Sequence, residues 1–141
     1  GVAAQAVGVA RAALEAATAY ATQRETFGKP IIEHQAVGFR LAEMATRLSA
    51  ARQLTLHAAA LIDAGEDAIA EASMAKSFAT SMAEEVTSHA VQTYGGYGYL
   101  SDYPVERYYR DARVLSIYEG TNDIQNLVIA RCLAGGWSPR G

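Results

Sequence analysis

EHQAVGFRLAEMATRLSAARQLTLHAAALIDA, residues 33–64, is the stretch on which the fold turns. Val37, Leu41, Met44, Leu48, Ala51, Thr55, Ala58 and Ile62 recur in a four-three rhythm over nearly four heptads. Side chains at that spacing form one stripe along a helix. The stripe reads as a core seam, not a cofactor box, and a steady heptad implies near-parallel packing, as in a four-helix bundle.

Upstream, residues 2 to about 25 also read as helix. Val7, Ala10, Leu14, Ala17 and Ala21 line one face, and the abundant alanines allow a partner helix to approach closely. Arg24-Glu25-Thr26-Phe27-Gly28-Lys29-Pro30 ends it, since Gly28 suits a positive φ and Pro30 blocks further helix. Phe27 is expected to plug the gap between helix ends. Arg24 reads either as a C-terminal cation favoured by the helix dipole or as a fork for two phosphate oxygens. His34 and Gln35, in the first turn of the next helix, face back toward Arg24, and His57 reads as a surface or packed histidine.

Downstream, Gly65-Glu66-Asp67 makes a turn with Asp67 as N-cap. A third helix runs to about Tyr94, carrying Ile69, Ala72, Ala75, Ala79, Met82, Val86 and Ala90 on one side. Lys76 and His89, with no partner evident in sequence, read as structural. Gln92-Thr93-Tyr94-Gly95-Gly96-Tyr97-Gly98-Tyr99 breaks the helical regime with glycines, where a backbone needs positive φ or a close approach. No strand precedes it, so it is not a dinucleotide fingerprint. Pro104 starts a short helix, in which Glu106–Arg110 and Arg107–Asp111 are expected to form a salt-bridged face. Thr121 to about Leu133 forms the last helix, capped by Thr121 or Asn122, with Ile124, Leu127, Val128 and Leu133 inward. Residues 135–141 read as a flexible tail. The expectation is an all-α fold: an antiparallel four-helix up-and-down bundle over residues 1–134 with an extra short helix.

Composition bounds the rest. The chain has 141 residues, half of them hydrophobic and 19% charged, which suits one globular domain. A net charge of −3 argues against a nucleic-acid partner. The single cysteine, Cys132, excludes an intrachain disulfide, and no apolar run approaches the roughly 20 residues of a membrane span. The N-terminus lacks the pattern of a signal peptide and begins inside a helical pattern, as in a piece of something larger.

Ser116-Ile117-Tyr118-Glu119-Gly120-Thr121-Asn122-Asp123-Ile124-Gln125 sets one carboxylate, Glu119, between an aromatic and a glycine at a loop-to-helix junction. Taken alone, it reads more readily as a solvated loop acid than as a general base. Three segments in order change that reading: Arg24 to Ile31 with His34-Gln35; Gln92 to Tyr99 with Asp102, Arg107 and Asp111; and Tyr118 to Gln125. Together they resemble the C-terminal helical domain of the acyl-CoA dehydrogenase family over nearly the whole chain, with no departure at a motif position.

The resemblance implies FAD as cofactor and an acyl-CoA thioester as substrate. It implies an N-terminal helical domain and a central β domain, both absent from this chain. Arg24 and Gln35 are implied to reach the FAD of an adjacent subunit, with Phe27 beside it and Gln92, Gly95 and Gly96 along its adenosine side. Thr121, Asn122 and Asp123 are implied at the FAD of their own subunit, with Tyr118 and Gly120 beside the substrate. Glu119 is implied to remove the α-proton while a β-hydride passes to flavin N5, giving the trans-2-enoyl-CoA. The enolate-like charge must be stabilised as it forms, and the Glu119 N–H is implied as one donor. Seven of the eight tyrosines fall between Tyr94 and Tyr118, and this cluster is expected to wall a single water-excluding pocket around the base. The resemblance further implies electron-transfer flavoprotein as electron acceptor, a homodimer or homotetramer, and a cytoplasmic or mitochondrial-matrix setting. No metal ligand set stands out. The alternatives are an acyl-CoA oxidase-like relative or a non-catalytic helical bundle serving oligomerisation.

Overall fold

A computed structural model describes residues 1–139. It is all-α: α1 (Val2–Gln23), α2 (Gln35–Asp63), α3 (Ile69–Tyr94), α4 (Val105–Leu115) and α5 (Asn122–Ala134). The long helices α1, α2 and α3 pack together with two shorter ones, α4 (11 residues), which adds Val105, Ala112 and Leu115 to the core, and α5 (13 residues). The helix α3 is the hub, and α1, α2, α4 and α5 each pack against it.

Small residues make that hub possible. The buried face of α1 is alanine throughout: Ala3, Ala6, Ala10, Ala13, Ala17 and Ala21. It meets Ala75, Ala79, Met82, Ala83, Val86 and Ala90 of α3 in one core cluster with Leu41, Met44, Ala51 and Ala58 of α2. Alanine stripes of this kind let helix axes come close. Tyr94, at the end of α3, donates to the Ala16 carbonyl (3.2 Å), and Tyr118 donates to the Gln5 side-chain oxygen. Thus α1 and α3 run in the same direction, with α2 antiparallel to both and Arg47 of α2 paired to Glu85 of α3 at 2.9 Å.

The heptad stripe of α2 is core except at its end. Ile62 (59% exposed) and Ile69 (59% exposed) flank the 64–68 turn, where the bundle has no further layer to cover them. Asp67 accepts from the Ile69 N–H at 3.1 Å, although the N-cap position itself is Ala68.

Other expectations fail for identifiable reasons. The connection from α1 to α2 contains a minimal hairpin, Glu25–Thr26 against Lys29–Pro30. Phe27 (φ +53) and Gly28 (φ +77) form its turn. Two successive positive φ values match the twist of a tight hairpin. They also throw Phe27 outward, where it is 98% exposed and plugs nothing.

On α4, neither Glu106–Arg110 nor Arg107–Asp111 is among the ion pairs of the described residues. Arg113 instead reaches Glu84 of α3 at 3.3 Å, and Arg107 lies over the Tyr108 ring. Exposed pairs four apart gain only about 0.3–0.5 kcal/mol, too little to hold long side chains in place.

The last helix, α5, has no fully buried residue, and Ile124, Leu127 and Leu133 are 44–52% exposed. Its inward face packs mainly on α3. Where fraying is expected after α5, the Trp137 indole N–H donates to Glu71 of α3 at 3.2 Å. Arg140 and Gly141, the end of the expected tail, lie outside the described residues.

Candidate functional site

The sequence-selected residues gather at two places, at opposite ends of α3. Lys76 and Tyr94 mark them and are 18 residues apart, about 27 Å along a helix rising 1.5 Å per residue.

At the C-terminal end of α3, a cavity of about 420 Å³ is lined by Arg24, Thr26, Gln92, Gly95, Gly96, Tyr97 and their neighbours. Arg24 is the extended C-cap of α1, and its N–H bonds to the Tyr20 carbonyl. Its guanidinium lies 6.0 Å from the Tyr97 ring centre. His34 fastens the hairpin to the start of α2: its Nε2 lies 2.9 Å from Thr26 Oγ1 and 3.2 Å from the Thr26 carbonyl, and Phe27 packs edge-on to its ring. Gln35, the first residue of α2, is exposed.

The glycines of this end differ in kind. Gly95 has φ +60, which a side chain rarely adopts. At Gly98 a Cβ would come within 2.5 Å of the Val91 carbonyl oxygen and 2.9 Å of Tyr94 Cβ, so the chain itself forbids it. At Gly96 a Cβ would meet nothing within 4 Å.

Four tyrosines belong to this end. Tyr20 stacks on Tyr94 at 4.1 Å, and Tyr103 contacts both Tyr94 and Tyr97 at 5.5 Å. Burial pushes the Tyr94 phenol up from its usual value, and the neighbouring Tyr20, Tyr103 and Tyr108 add to the effect. The single tyrosine-walled pocket expected around Glu119 is therefore not formed. Helix α3 separates the cluster from Tyr118, the residue that precedes the acid.

At the other end, Glu119 and Gly120 sit in a loop with φ +54 and φ +86. A positive φ on a non-glycine residue is uncommon and costs roughly 1–2 kcal/mol. Both flanks hold it there. On one side the Tyr118 N–H bonds to the Val114 carbonyl at 3.2 Å, and its hydroxyl donates to Gln5. On the other, the Asn122 N–H returns to the Ser116 carbonyl at 3.0 Å, and Thr121 caps α5 by accepting from the Ile124 N–H at 3.3 Å. The Gln125 side chain donates to the Gly120 carbonyl at 3.3 Å. Glu119 is exposed, and its carboxylate has no hydrogen bond or ion pair among the described residues.

The residue that sequence reasoning missed is Lys76. It is only 7% exposed, and its Nζ donates to the Gly120 carbonyl at 2.8 Å and to Asn122 Oδ1 at 3.0 Å. Desolvation lowers its pKa from the usual lysine value. A lysine set among Ala75, Ala79 and Thr80 was the available signal, because such a cation requires acceptors. Asn122 is fully engaged: its Oδ1 also accepts from Thr80 (3.0 Å), and its Nδ2 donates to Ser81 (3.2 Å). Its side chain thus holds α5 to α3. Thr121, Asn122 and Asp123 also border a cavity of about 280 Å³ with Glu84, Arg113 and Ser116.

A further cavity, about 900 Å³ between α3 and α4, includes Gln92 and Arg110 but not Glu119. The candidate base therefore lies outside this cavity. Among the described residues, no three His, Cys, Asp or Glu side chains come together to hold a metal, and no helix is long and apolar enough to cross a membrane.

Comparison with known proteins agrees with this geometry. Residues 1–134 match the model of the acyl-CoA dehydrogenase C-terminal domain. An acyl-CoA dehydrogenase of Bacillus subtilis is 57% identical over 136 residues, covering 96% of this chain and 36% of that protein. The caffeyl-CoA reductase–Etf complex subunit CarC of Acetobacterium woodii is 50% identical over 133 residues, 94% of this chain and 35% of that one. The structure of butyryl-CoA dehydrogenase from Megasphaera elsdenii superposes with a TM-score of 0.94 at 46% identity, covering 95% of this chain and 35% of that one. The chain spans about a third of the length of the curated relatives it matches. An all-α bundle with a strained carboxylate loop at one end and an arginine–glycine cavity at the other, matched over residues 1–134, belongs to the acyl-CoA dehydrogenase family as its C-terminal domain.

Proposed function

We propose that this chain is the C-terminal helical domain of a longer FAD-dependent acyl-CoA dehydrogenase, in which Glu119 is the base that removes the α-proton of an acyl-CoA thioester. The observation that carries this reading is the backbone of Glu119. A solvated loop acid has no need of φ +54. Here the strained conformation is over-determined from both flanks, as recurs at functional sites. It leaves the carboxylate free to meet a substrate beside the bare backbone of Gly120. The Glu119 N–H is available to a developing oxyanion in the same loop. Because Glu119 is exposed, exclusion of water from the base falls to the central β domain and the bound thioester.

FAD fits the residues present. Gly96 lines the 420 Å³ cavity, and a Cβ there would meet no atom of the described residues within 4 Å, so none of them requires its absence. A ligand backbone or pyrophosphate passing there would require it. Arg24 presents an exposed guanidinium at the same cavity, suited to two phosphate oxygens, and Gln92 lines it. Phe27 at the hairpin tip and Gln35 at the start of α2 extend this surface outward. Thr121 and Asp123 would serve a second flavin at the Glu119 end. The separation of the two ends along α3 favours two flavins shared between neighbouring subunits, and hence a homodimer or homotetramer. When bound, the flavin accepts the β-hydride. Electron-transfer flavoprotein is the acceptor that the Etf-complex relative favours, and a setting in the bacterial cytoplasm or mitochondrial matrix accords with it.

The test is Glu119→Gln in the full-length protein, assayed with butyryl-CoA and a dye acceptor, alongside α-proton exchange. Both should fall by at least the 10²–10⁴-fold typical of losing a general base, with the flavin content unchanged. Full turnover in this variant would remove Glu119 from the chemistry.

A further inference from the structure

We propose that Lys76 is a positioning residue for the dehydrogenation, acting as a buried clamp that sets the backbone of the Glu119 loop from beneath. The inference deepens the reading of Glu119 as base and rests on it.

Several observations lead there. Lys76 is 44 residues from Gly120 in sequence, yet its Nζ lies 2.8 Å from the Gly120 carbonyl oxygen and 3.0 Å from Asn122 Oδ1. The loop has two consecutive left-handed residues, Glu119 and Gly120, and so two backbone positions able to relax. Tyr118 is pinned on the near side by the Val114 carbonyl and by Gln5. On the far side, Lys76 fixes the Gly120 carbonyl and the first residue of α5 together. Glu119 therefore hangs between two anchored neighbours, and the angle of its side chain follows from the distance between them.

A neutral packing residue would fill the same space on α3 without a desolvation cost. Burial lowers the pKa of Lys76, so the ammonium is held there against that cost by the loop's acceptors. Charge-assisted bonds of this kind are about twice as strong as neutral ones. Thr80, fully buried one turn on, donates to the same Asn122 Oδ1 but not to Gly120. The network thus contains its own control: Lys76 and Thr80 both hold α5, but of the two only Lys76 reaches the Gly120 carbonyl, where its 2.8 Å charge-assisted bond is shorter than the neutral 3.3 Å bond from Gln125.

The experiment compares Lys76→Met and Thr80→Val in the full-length flavoenzyme. The readouts are kcat and KM for butyryl-CoA with a dye acceptor, flavin content, thermal midpoint and α-proton exchange. Met keeps the length and apolar stem, so the bundle should fold and retain flavin. A shift of the base by about 1 Å costs on the order of 10²-fold. The expected result for K76M is therefore a kcat and an exchange rate lowered about 10²-fold, with KM within threefold. For T80V the expected result is a kcat within threefold of wild type.

If K76M takes up no flavin, Lys76→Gln carries the test. Its donor nitrogen sits one bond closer to the backbone, and kcat should fall at least tenfold. Wild-type kcat in a flavin-loaded Lys76 variant, or a loss in T80V equal to that in K76M, would overturn the clamp while leaving Glu119 as base. A wild-type enzyme without acyl-CoA turnover would overturn the underlying reading and the clamp with it.

Discussion

Replacing Glu119 by glycine should stabilise the domain while destroying its chemistry. Glu119 has φ +54, and its side chain is exposed and without a hydrogen bond or ion pair among the described residues. Truncation to alanine therefore removes no contact, and Glu119→Ala should stay within about 0.5 kcal/mol of the parent. Both residues bear the left-handed backbone, which costs an L side chain roughly 1–2 kcal/mol. Glycine escapes that cost but frees the unfolded chain, losing about 0.4–1 kcal/mol in return. The difference leaves E119G more stable than E119A by about 0.5–1 kcal/mol. With a urea m-value near 2 kcal/mol/M, the midpoint should move up by about 0.3–0.5 M. Equilibrium urea unfolding of the 141-residue chain, followed by circular dichroism, measures it. In the full-length protein both variants should lack turnover. If E119G is no more stable than E119A, the loop is not strained at Glu119, and the backbone argument for its role collapses.

The glycine loop supplies a paired prediction. Gly98→Ala drives a Cβ into the Val91 carbonyl oxygen at 2.5 Å and should cost about 1–3 kcal/mol in urea unfolding, whereas Gly96→Ala should leave stability intact and lower flavin content in the full-length protein. Arg24→Ala should likewise reduce flavin content, read as the 450-to-280 nm absorbance ratio, without lowering the thermal midpoint of the bundle. Tyr94, whose pKa is raised, contributes stability that is complete below its unfolded value of 10.0 and is lost as pH climbs through its folded value. Lys76, with a lowered pKa, works in the opposite direction just below 10.5. Tyr94→Phe should cost about 1 kcal/mol at pH 8, because the bond to the Ala16 carbonyl is lost, and should show a smaller further drop in urea midpoint between pH 8 and pH 11 than the parent.

Where the sequence reading succeeded, the governing physics was local. The stripe Leu41, Met44, Ala51, Ala58 is core because residues three and four apart share a helix face whatever lies opposite. Thr121 caps α5 because its hydroxyl needs only a backbone N–H three residues on. Gly28 and Gly95 adopt positive φ as their turns require. Where it failed, the answer lay across the bundle. Whether Ile124, Leu127 and Leu133 are covered depends on what stands beyond α5, which no period within α5 encodes. Phe27 is hydrophobic and still exposed, because the hairpin turn aims its side chain away from the bundle.

The tyrosines and Lys76 carry the same contrast into the site. Seven tyrosines crowd one segment of sequence, but a helical axis divides them: Tyr94, Tyr97 and Tyr103 join Tyr20 at one end, and Tyr118 stays at the other. Helical periodicity, caps and glycines with special φ are properties of a few neighbouring residues, so the helices, their breaks and the candidate base were legible in the chain itself. The grouping of Arg24 with Gln92 and Gly96, the two-ended layout along α3, and the seating of Lys76 beneath Gly120 are contacts between residues 44 or more positions apart for the lysine and 68 or more for the arginine. Such contacts exist only once the helices have packed on α3: the alanine faces of α1 and α3 bring Arg24 to Gln92 and Gly96, and the packing of α4 and α5 brings Gly120 to Lys76.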